Sequence, residues 1–378
     1  MSGAPSVSIL TTASLAPDDV EAWTGLADRA AEPNPFLRPE FVVSSAVATG
    51  EDMTLIRVRD GERWLALLPV GRTRRWRRTQ LPVLPPWLPE YAYLGTPLVD
   101  GGALEPAVDA LLDLLAGERR TTALVLHPFD PGGPLGHTLA ARLQSRRIEP
   151  LVYAEFDRAA LRRRPECTYL VESLSGDSRK KLRSRKRALG RELGGEPAVV
   201  DRSDDPAAWE AFLAMELGGW KGERGTALAS DPRDAAFFRR MCAGMAARGH
   251  LQVVALEAGG RTASMQCNLV DGPALYGFKV AYDAELARFS PGALLEAEAI
   301  HRLHHEMPAV EFADSCADPA NELINRIWPD RRRLQTLMVP TGSRRGRLMK
   351  PAVGVEVAVR RVIRRGRQGA AGPRAPGA

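Results

Sequence analysis

The chain has 378 residues, 44% of them hydrophobic and 26% charged, which is ordinary globular composition and enough for two domains of typical size. Cys167, Cys242, Cys267 and Cys316 form no CxxC pair and no Cys/His cluster, which argues against a structural metal site or a disulfide framework and for a reducing compartment. The net charge of +6 is unevenly spread: residues 342–378 hold ten Arg/Lys and one acid, a net +9, so the preceding 341 residues stand at −3.

Residues 1–20 lack a basic segment followed by an apolar run, and no window approaches about 18 uncharged apolar residues. Neither a secretory signal nor a spanning helix is expected, and the chain reads as cytoplasmic. Its Ala, Arg, Gly and Pro richness fits a bacterial source.

In chain order, residues 18–30 read as a helix capped by Asp18 or Asp19, with Trp23, Leu26 and Ala27 on one face. A second helix follows over 41–49. Residues 53–59 and 64–70 read as strands joined by a hairpin turn at Asp60-Gly61. The basic run 72–78 reads as a loop or solvated edge, and 82–89 is too proline-rich for regular structure. Strands are expected over 91–99, 122–127 and 151–156, and helices over 105–115 and 137–147.

The second half opens with a helix over 178–193 that carries eight cations, from Arg179 to Arg191, before Gly194-Gly195 ends it. A strand over 198–202 and two helices follow: 207–217, entered through Asp205-Pro206, and one through 247, entered through Asp231-Pro232. A loop over 218–225 separates them. Strands over 251–257, 261–270 and 274–282 form a meander, then come a helix over 293–306, a strand over 310–314, a short helix over 321–327 and a final strand over 333–339. Both halves therefore run helices, hairpin, strand, helix, strand, helix, strand, a weak internal duplication. The fold class is α/β with a mixed sheet.

Several positions carry possible chemistry. Ser290-Pro291-Gly292 reads either as a plain helix start or as an anion site, since N–H groups at a helix start favour phosphate. Asp314 closes an apolar strand, where ligands of open α/β sheets collect, and reads either as a loop cap or as a proton acceptor. Lys279, inside an apolar strand beside Gly277, needs a partner if buried. The helix over 179–191 reads as a solvated face or as a surface for a phosphorylated or uronate-bearing acceptor, and it lacks the stacking aromatics of a stable nucleic-acid binder. The tail over 342–378 reads as disordered, or as a basic amphipathic helix over 353–365 touching anionic membrane or RNA.

Four segments in order, Ser178-Arg179-Lys180-Lys181-Leu182-Arg183, Trp220-Lys221-Gly222 with Gly225-Thr226-Ala227-Leu228, Tyr282-Asp283 with Ser290-Pro291-Gly292, and Asp314 with Ile327-Trp328, carry a family resemblance. The chain resembles GNAT-superfamily acetyltransferases of the cellulose-biosynthesis (CelD-like) and BioF2-like type, relatives of the FemAB/FemX peptidoglycan aminoacyltransferases. The resemblance implies tandem GNAT-like domains in a FemX-like arrangement: a degenerate one over 1–160, a catalytic one over 161–341, and the tail over 342–378. It implies transfer of an acyl group from acetyl-CoA, a co-substrate with no permanent cofactor, to an amine or hydroxyl of a small-molecule, sugar or lipid-linked saccharide acceptor, in exopolysaccharide or cell-envelope synthesis. Arg288, Ser290, Pro291, Gly292, Ala293 and Leu294 are then expected at the donor, and Asp314, Lys279 and Tyr282 at the chemistry. Arg179, Lys180, Arg183, Trp220 and Lys221 are expected at the acceptor. The alternatives are a FemX-like transferase using aminoacyl-tRNA and a non-catalytic scaffold at a membrane surface.

Overall fold

The computed structural model describes residues 4–73 and 81–347, with Met349 and Val353. The first half comprises β1 (Ser6–Thr11), α1 (Pro17–Asp28), α2 (Pro39–Thr49), β2 (Thr54–Asp60), β3 (Arg63–Val70), β4 (Leu98–Val99), α3 (Leu104–Gly117), β5 (Ala123–Phe129), α4 (Pro134–Ser145) and β6 (Leu151–Arg162). The second half opens with α5 (Tyr169–Ser173), α6 (Gly176–Leu193), β7 (Ala198–Asp201), α7 (Pro206–Leu217), α8 (Trp220–Glu223) and α9 (Pro232–Ala246). It continues with β8 (Leu251–Ala258), β9 (Arg261–Asp271), β10 (Ala274–Tyr282), α10 (Pro291–Glu306), β11 (Phe312–Asp314), α11 (Glu322–Ile327), β12 (Asp330–Pro340) and α12 (Arg344–Arg347).

Local chemistry explains most of these boundaries. Proline at the first turn starts α1, α2, α4, α7, α9 and α10, where its missing N–H costs nothing. Asp205 and Asp231 cap α7 and α9 through their side chains. The cap of α1 is Ala16 rather than an aspartate, and Asp19 reaches back to accept the Ala16 N–H at 3.1 Å. Trp23, Leu26 and Ala27 are buried on the expected face.

The strand expected over 91–99 is reduced to Leu98–Val99. The Asn34 side chain instead donates to the carbonyls of Leu94 (3.3 Å) and Thr96 (2.7 Å), doing the work of a neighbouring strand. Freed from a ladder, this stretch sends Tyr91 and Tyr93 into the second half, Tyr91 stacking on Phe237 with centroids 5.9 Å apart. The strand expected to end at 156 runs on to Arg162, because its charges are paired across strands. The loop over 218–225 contains the helical turn α8, and β1 and α5 carry too weak a pattern to have been expected. The basic run lies largely outside the described residues, as does most of the tail. Where it is described the tail is folded: α12 is the last element with a described range, and Met349 and Val353 are buried with Val83, Val125, Tyr153 and Met338.

The topology confirms that the halves repeat. From β1 to β6 and again from β7 to β12 the order is strand, two main helices, three strands, helix, strand, helix, strand, with α5, α6, α8 and α12 as additions. The sheets show how the copies join. One sheet has the order β1-β2-β3-β4, the other β5-β12-β6-β11-β10-β9-β8-β7. The last strand of each half thus pairs with the fifth strand of the other: β6 with β11 and β12 with β5, both antiparallel. The boundary expected at 160/161 falls inside β6, within one continuous hydrogen-bonded sheet.

Buried charge ties the exchanged strands together. Asp314 on β11 meets Arg158 on β6 and Arg332 on β12, and Arg332 reaches Asp130 just beyond β5 at 2.7 Å. Elsewhere Arg38, at the start of α2, is 1% exposed and holds Asp271 of β9 at 2.7 Å.

Glu32 is a further buried acid, 8% exposed, accepting the Leu135 N–H at the start of α4 at 2.9 Å. Burial pushes its pKa up to about 7. A carboxyl whose folded pKa exceeds its unfolded one stabilises most below the unfolded value, near pH 4.5, and loses that contribution as pH rises through 7. The loss amounts to about 3 kcal/mol. Urea unfolding at pH 5 and pH 8 should therefore show the wild type weaker at pH 8, with the difference much reduced in Glu32→Gln.

Candidate active site

Strands β10 and β11 run parallel only over Ala274–Tyr276 and Phe312–Asp314. Beyond that they separate, and the register of β10 against β9 shifts between Gly277 and Lys279. Gly277 sits where the strands diverge: a Cβ there would lie 2.6 Å from the Ser315 carbonyl oxygen, so only glycine lets the two backbones come this close. The opening leads into a cavity of about 410 Å³ that runs from Trp220 and Lys221 at one end, past Gly277–Val280 and Ser315–Ala317, to the space beneath α10.

Lys279 stands in this opening with its side chain 11% exposed. Its ammonium lies 4.3 Å from the Tyr91 ring centre and 4.0 Å from Glu216 Oε1. Burial lowers its pKa, against the opposing pull of the Glu216 carboxylate. Glu216 is itself 2% exposed: Oε1 accepts Lys221 at 2.7 Å and Oε2 accepts the Leu228 N–H at 2.8 Å. Lys221 also donates to the Val280 carbonyl at 2.9 Å. Lys221, expected at the acceptor, thus ties α8 to β10 while still lining the cavity, whereas Trp220 remains 44% exposed at its mouth.

Glu216 escaped sequence reading, yet a signal existed. Trp209, Phe212, Leu213 and Glu216 fall on one helical stripe, which places an acid on a buried face. Tyr93, which lines the cavity and was also unanticipated, had no such signal. Tyr93 and Lys279 also line a second cavity, of about 530 Å³, whose wall includes Tyr91, Thr226 and the acids Glu90, Asp231 and Asp234.

The turn before α10 borders a third cavity, of about 440 Å³, lined by Ser290–Ala293, Tyr282, Lys181 and Arg185. Ser290 adopts a left-handed conformation (φ 54°), and its carbonyl accepts the N–H groups of Ala293 (3.0 Å) and Leu294 (3.1 Å). Pro291 has no N–H, so the helix start offers that of Gly292 rather than the expected row of free donors. Arg288 is turned away, 61% exposed and 2.6 Å from Glu192, and Leu294 is packed in the core. The basic helix α6 lies on this side: Lys181 and Arg185 face the turn, while Arg179, Lys180 and Arg183 line none of these three cavities. The cationic helix is therefore a neighbour of the turn before α10, not of the cavities lined by Lys279. Tyr282 likewise belongs to the turn and not to the Lys279 centre.

Asp314 is not available as a base. It is fully buried, with Oδ1 2.8 Å from Arg158 Nε and accepting the Cys316 N–H, and Oδ2 accepting Arg158 Nη2 (2.8 Å) and Arg332 Nη1 (3.0 Å). Arg158 Nη1 in turn donates to the Tyr93 carbonyl at 2.8 Å, so Asp314 holds the cavity wall in place. Cys316 lines the cavity, but burial pushes its thiol well above its ordinary pKa, which keeps it from being a thiolate nucleophile. His301 and His305 lie at the surface of α10, with ring centres 4.2 Å apart.

The chain thus repeats a β-α-α-β-β-β-α-β-α-β unit, and in the second copy the fourth and fifth strands part around a cavity. Residues 176–314 match the family model described as an acetyltransferase (GNAT) domain. Among solved structures, the chain is similar to FemX (11% identity over 88% of this chain and 97% of that one, TM-score 0.56). It is also similar to the C-terminal DUF2156 domain of a putative lysylphosphatidylglycerol synthetase from Agrobacterium fabrum (13% identity, 90% and 95% covered, TM-score 0.54). No curated protein matches the chain. The fold is thus a tandem GNAT-like arrangement with exchanged terminal strands, and the match to the acetyltransferase (GNAT) domain model lies within its second unit and the helices before it.

Proposed function

We propose that the protein transfers an acyl group from a coenzyme A-type thioester to an amine or hydroxyl acceptor, and that its working units are a degenerate domain over 1–160 and a catalytic domain over 161–341. The observation that carries this reading is the passage between β10 and β11. Lys279 stands where a cavity through the splayed strands meets the acid-lined cavity beside α9. On the donor side, Gly292, Lys181 and Arg185 present one N–H and two cations, a fit for a pyrophosphate. The carboxylates on the other side favour a cationic amine acceptor.

In the proposed reaction the bound ammonium first releases one proton to solvent, the resulting neutral amine nitrogen attacks the thioester carbonyl, and Lys279, in its neutral form, takes the second proton. The C–N bond forms, the C–S bond breaks, and the Lys279 ammonium returns the proton to the leaving thiolate. Glu216 and Lys221 position β10 and the lysine. The acceptor is a small molecule or saccharide, in keeping with a cytoplasmic enzyme, and the basic tail supplies any contact with an anionic membrane. Titration calorimetry with acetyl-CoA tests the donor: saturable binding that weakens at least tenfold when Lys181 and Arg185 are both changed to Ala supports it. Absence of binding at millimolar acetyl-CoA overturns it.

A second reading replaces the thioester with an aminoacyl-tRNA. It draws on α6, whose Lys180, Lys181, Arg183, Arg185 and Arg187 are exposed and enter no ion pair among the described residues. It requires RNA binding that falls steeply with salt.

A further inference from the structure

The cavity continues past the splayed strands into a chamber beneath α10 that an acetyl group would leave nearly empty. The sheet face forming its floor is not the apolar surface that helix-on-sheet packing normally buries. Gln252 on β8 and Gln266 and Asn268 on β9 point into it, and Glu296 of α10 faces them; all four are less than a tenth exposed. Their hydrogen bonds are incomplete. Asn268 Nδ2 donates to Gln252 Oε1 at 2.9 Å, and Glu296 accepts Gln266 Nε2 and the Trp328 indole N–H. Gln252 Nε2 finds only the Met307 sulfur, a weak acceptor, and the carbonyl oxygens of Gln266 and Asn268 take no donor among the described residues. Lining the cavity with acceptors that no neighbouring side chain fills, these amides are free to take hydrogen bonds from a ligand that enters it.

The register places the chamber relative to the chemistry. Gly277 pairs with Asn268, and Asn268 with Gln252, so the far amide lies two strand spacings, about 10 Å, from the splayed opening. At the pitch of an extended carbon chain, that is the reach of roughly six to eight carbons. The intervening wall, Leu275, Ile300 and Leu303, is apolar.

We infer that the chamber under α10 is an acyl-chain pocket, and that the group transferred is a medium-length acyl chain ending in a hydroxyl or amide. This rests on the thioester-donor reading above, and the test separates the two. Full-length protein is titrated calorimetrically with acetyl-CoA, octanoyl-CoA and 8-hydroxyoctanoyl-CoA. The expected order places the hydroxyacyl donor at least tenfold tighter than acetyl-CoA, with octanoyl-CoA between them. Asn268→Leu should abolish the hydroxyl preference while retaining octanoyl-CoA, and Ala299→Leu, which narrows the chamber from α10, should remove the chain-length advantage with acetyl-CoA binding unchanged. Three donors binding within twofold of one another would overturn the chamber and leave the donor reading intact. Failure of all three to bind would overturn both.

Discussion

Replacing Asp314 by Ala is expected to destabilise the protein by about 3–5 kcal/mol, because two buried guanidinium groups lose their shared carboxylate. Arg158 is 4% and Arg332 6% exposed, and neither can turn to solvent without leaving its strand. The Asp130 carboxylate compensates Arg332 in part, at 2.7 Å, but it does not reach Arg158. The damage should fall on the junction of the exchanged strands, since β6, β11 and β12 each contribute one member of the triad. Chemical denaturation measures the loss directly. A second measurement separates this structural role from proton transfer: if Asp314 were the base, Asp314→Asn would be nearly as stable as the wild type and lose its turnover. The geometry requires the opposite emphasis, a clear fall in stability in both variants and a pH–rate profile whose shape is unchanged in whatever folded Asp314→Asn remains.

The complementary result is expected at Lys279. Lys279→Met should leave the fold intact, since the side chain already lies against the Tyr91 ring, and should lower kcat by about 10²–10⁴, the range for loss of a positioned general base. Lys279→Arg should be equally inactive, because a guanidinium stays protonated. The sign of the pH dependence follows from the environment. Burial lowers the lysine pKa, so the neutral, proton-accepting form accumulates below the pH where an exposed lysine would release its proton. The wild-type rate should rise with pH along a limb centred below 10.5, and that limb should vanish in both variants. Glu216→Gln removes the carboxylate that opposes this shift and should move the limb to lower pH without eliminating it. A limb that persists in Lys279→Met would remove the lysine from proton transfer.

The elements of this protein were largely legible in its residues. Proline and aspartate helix starts, the Asp60-Gly61 hairpin and the apolar runs over 251–282 are signals acting within a few residues, and they led to the repeated order of elements in both halves. The turn before α10 and Lys279 were likewise visible as a helix start and as a charge in an apolar strand. What those signals could not carry is the identity of a partner distant in the chain. Asp314 at the end of a strand looks the same whether its carboxylate faces solvent or two arginines, one of them 156 residues earlier. The basic helix looks the same on either side of the domain, and only packing against α10 set it beside the turn at Ser290–Ala293.

The exchange of β6 and β12 between halves was equally invisible, because a strand's own sequence does not say which of two similar edges it will complete. Local chain chemistry thus determined which elements form and which residues carry charge. Tertiary structure alone decided which charges are neutralised and which remain in the cavity: Asp314 is buried between Arg158 and Arg332, whereas Lys279 lines the opening between the splayed strands.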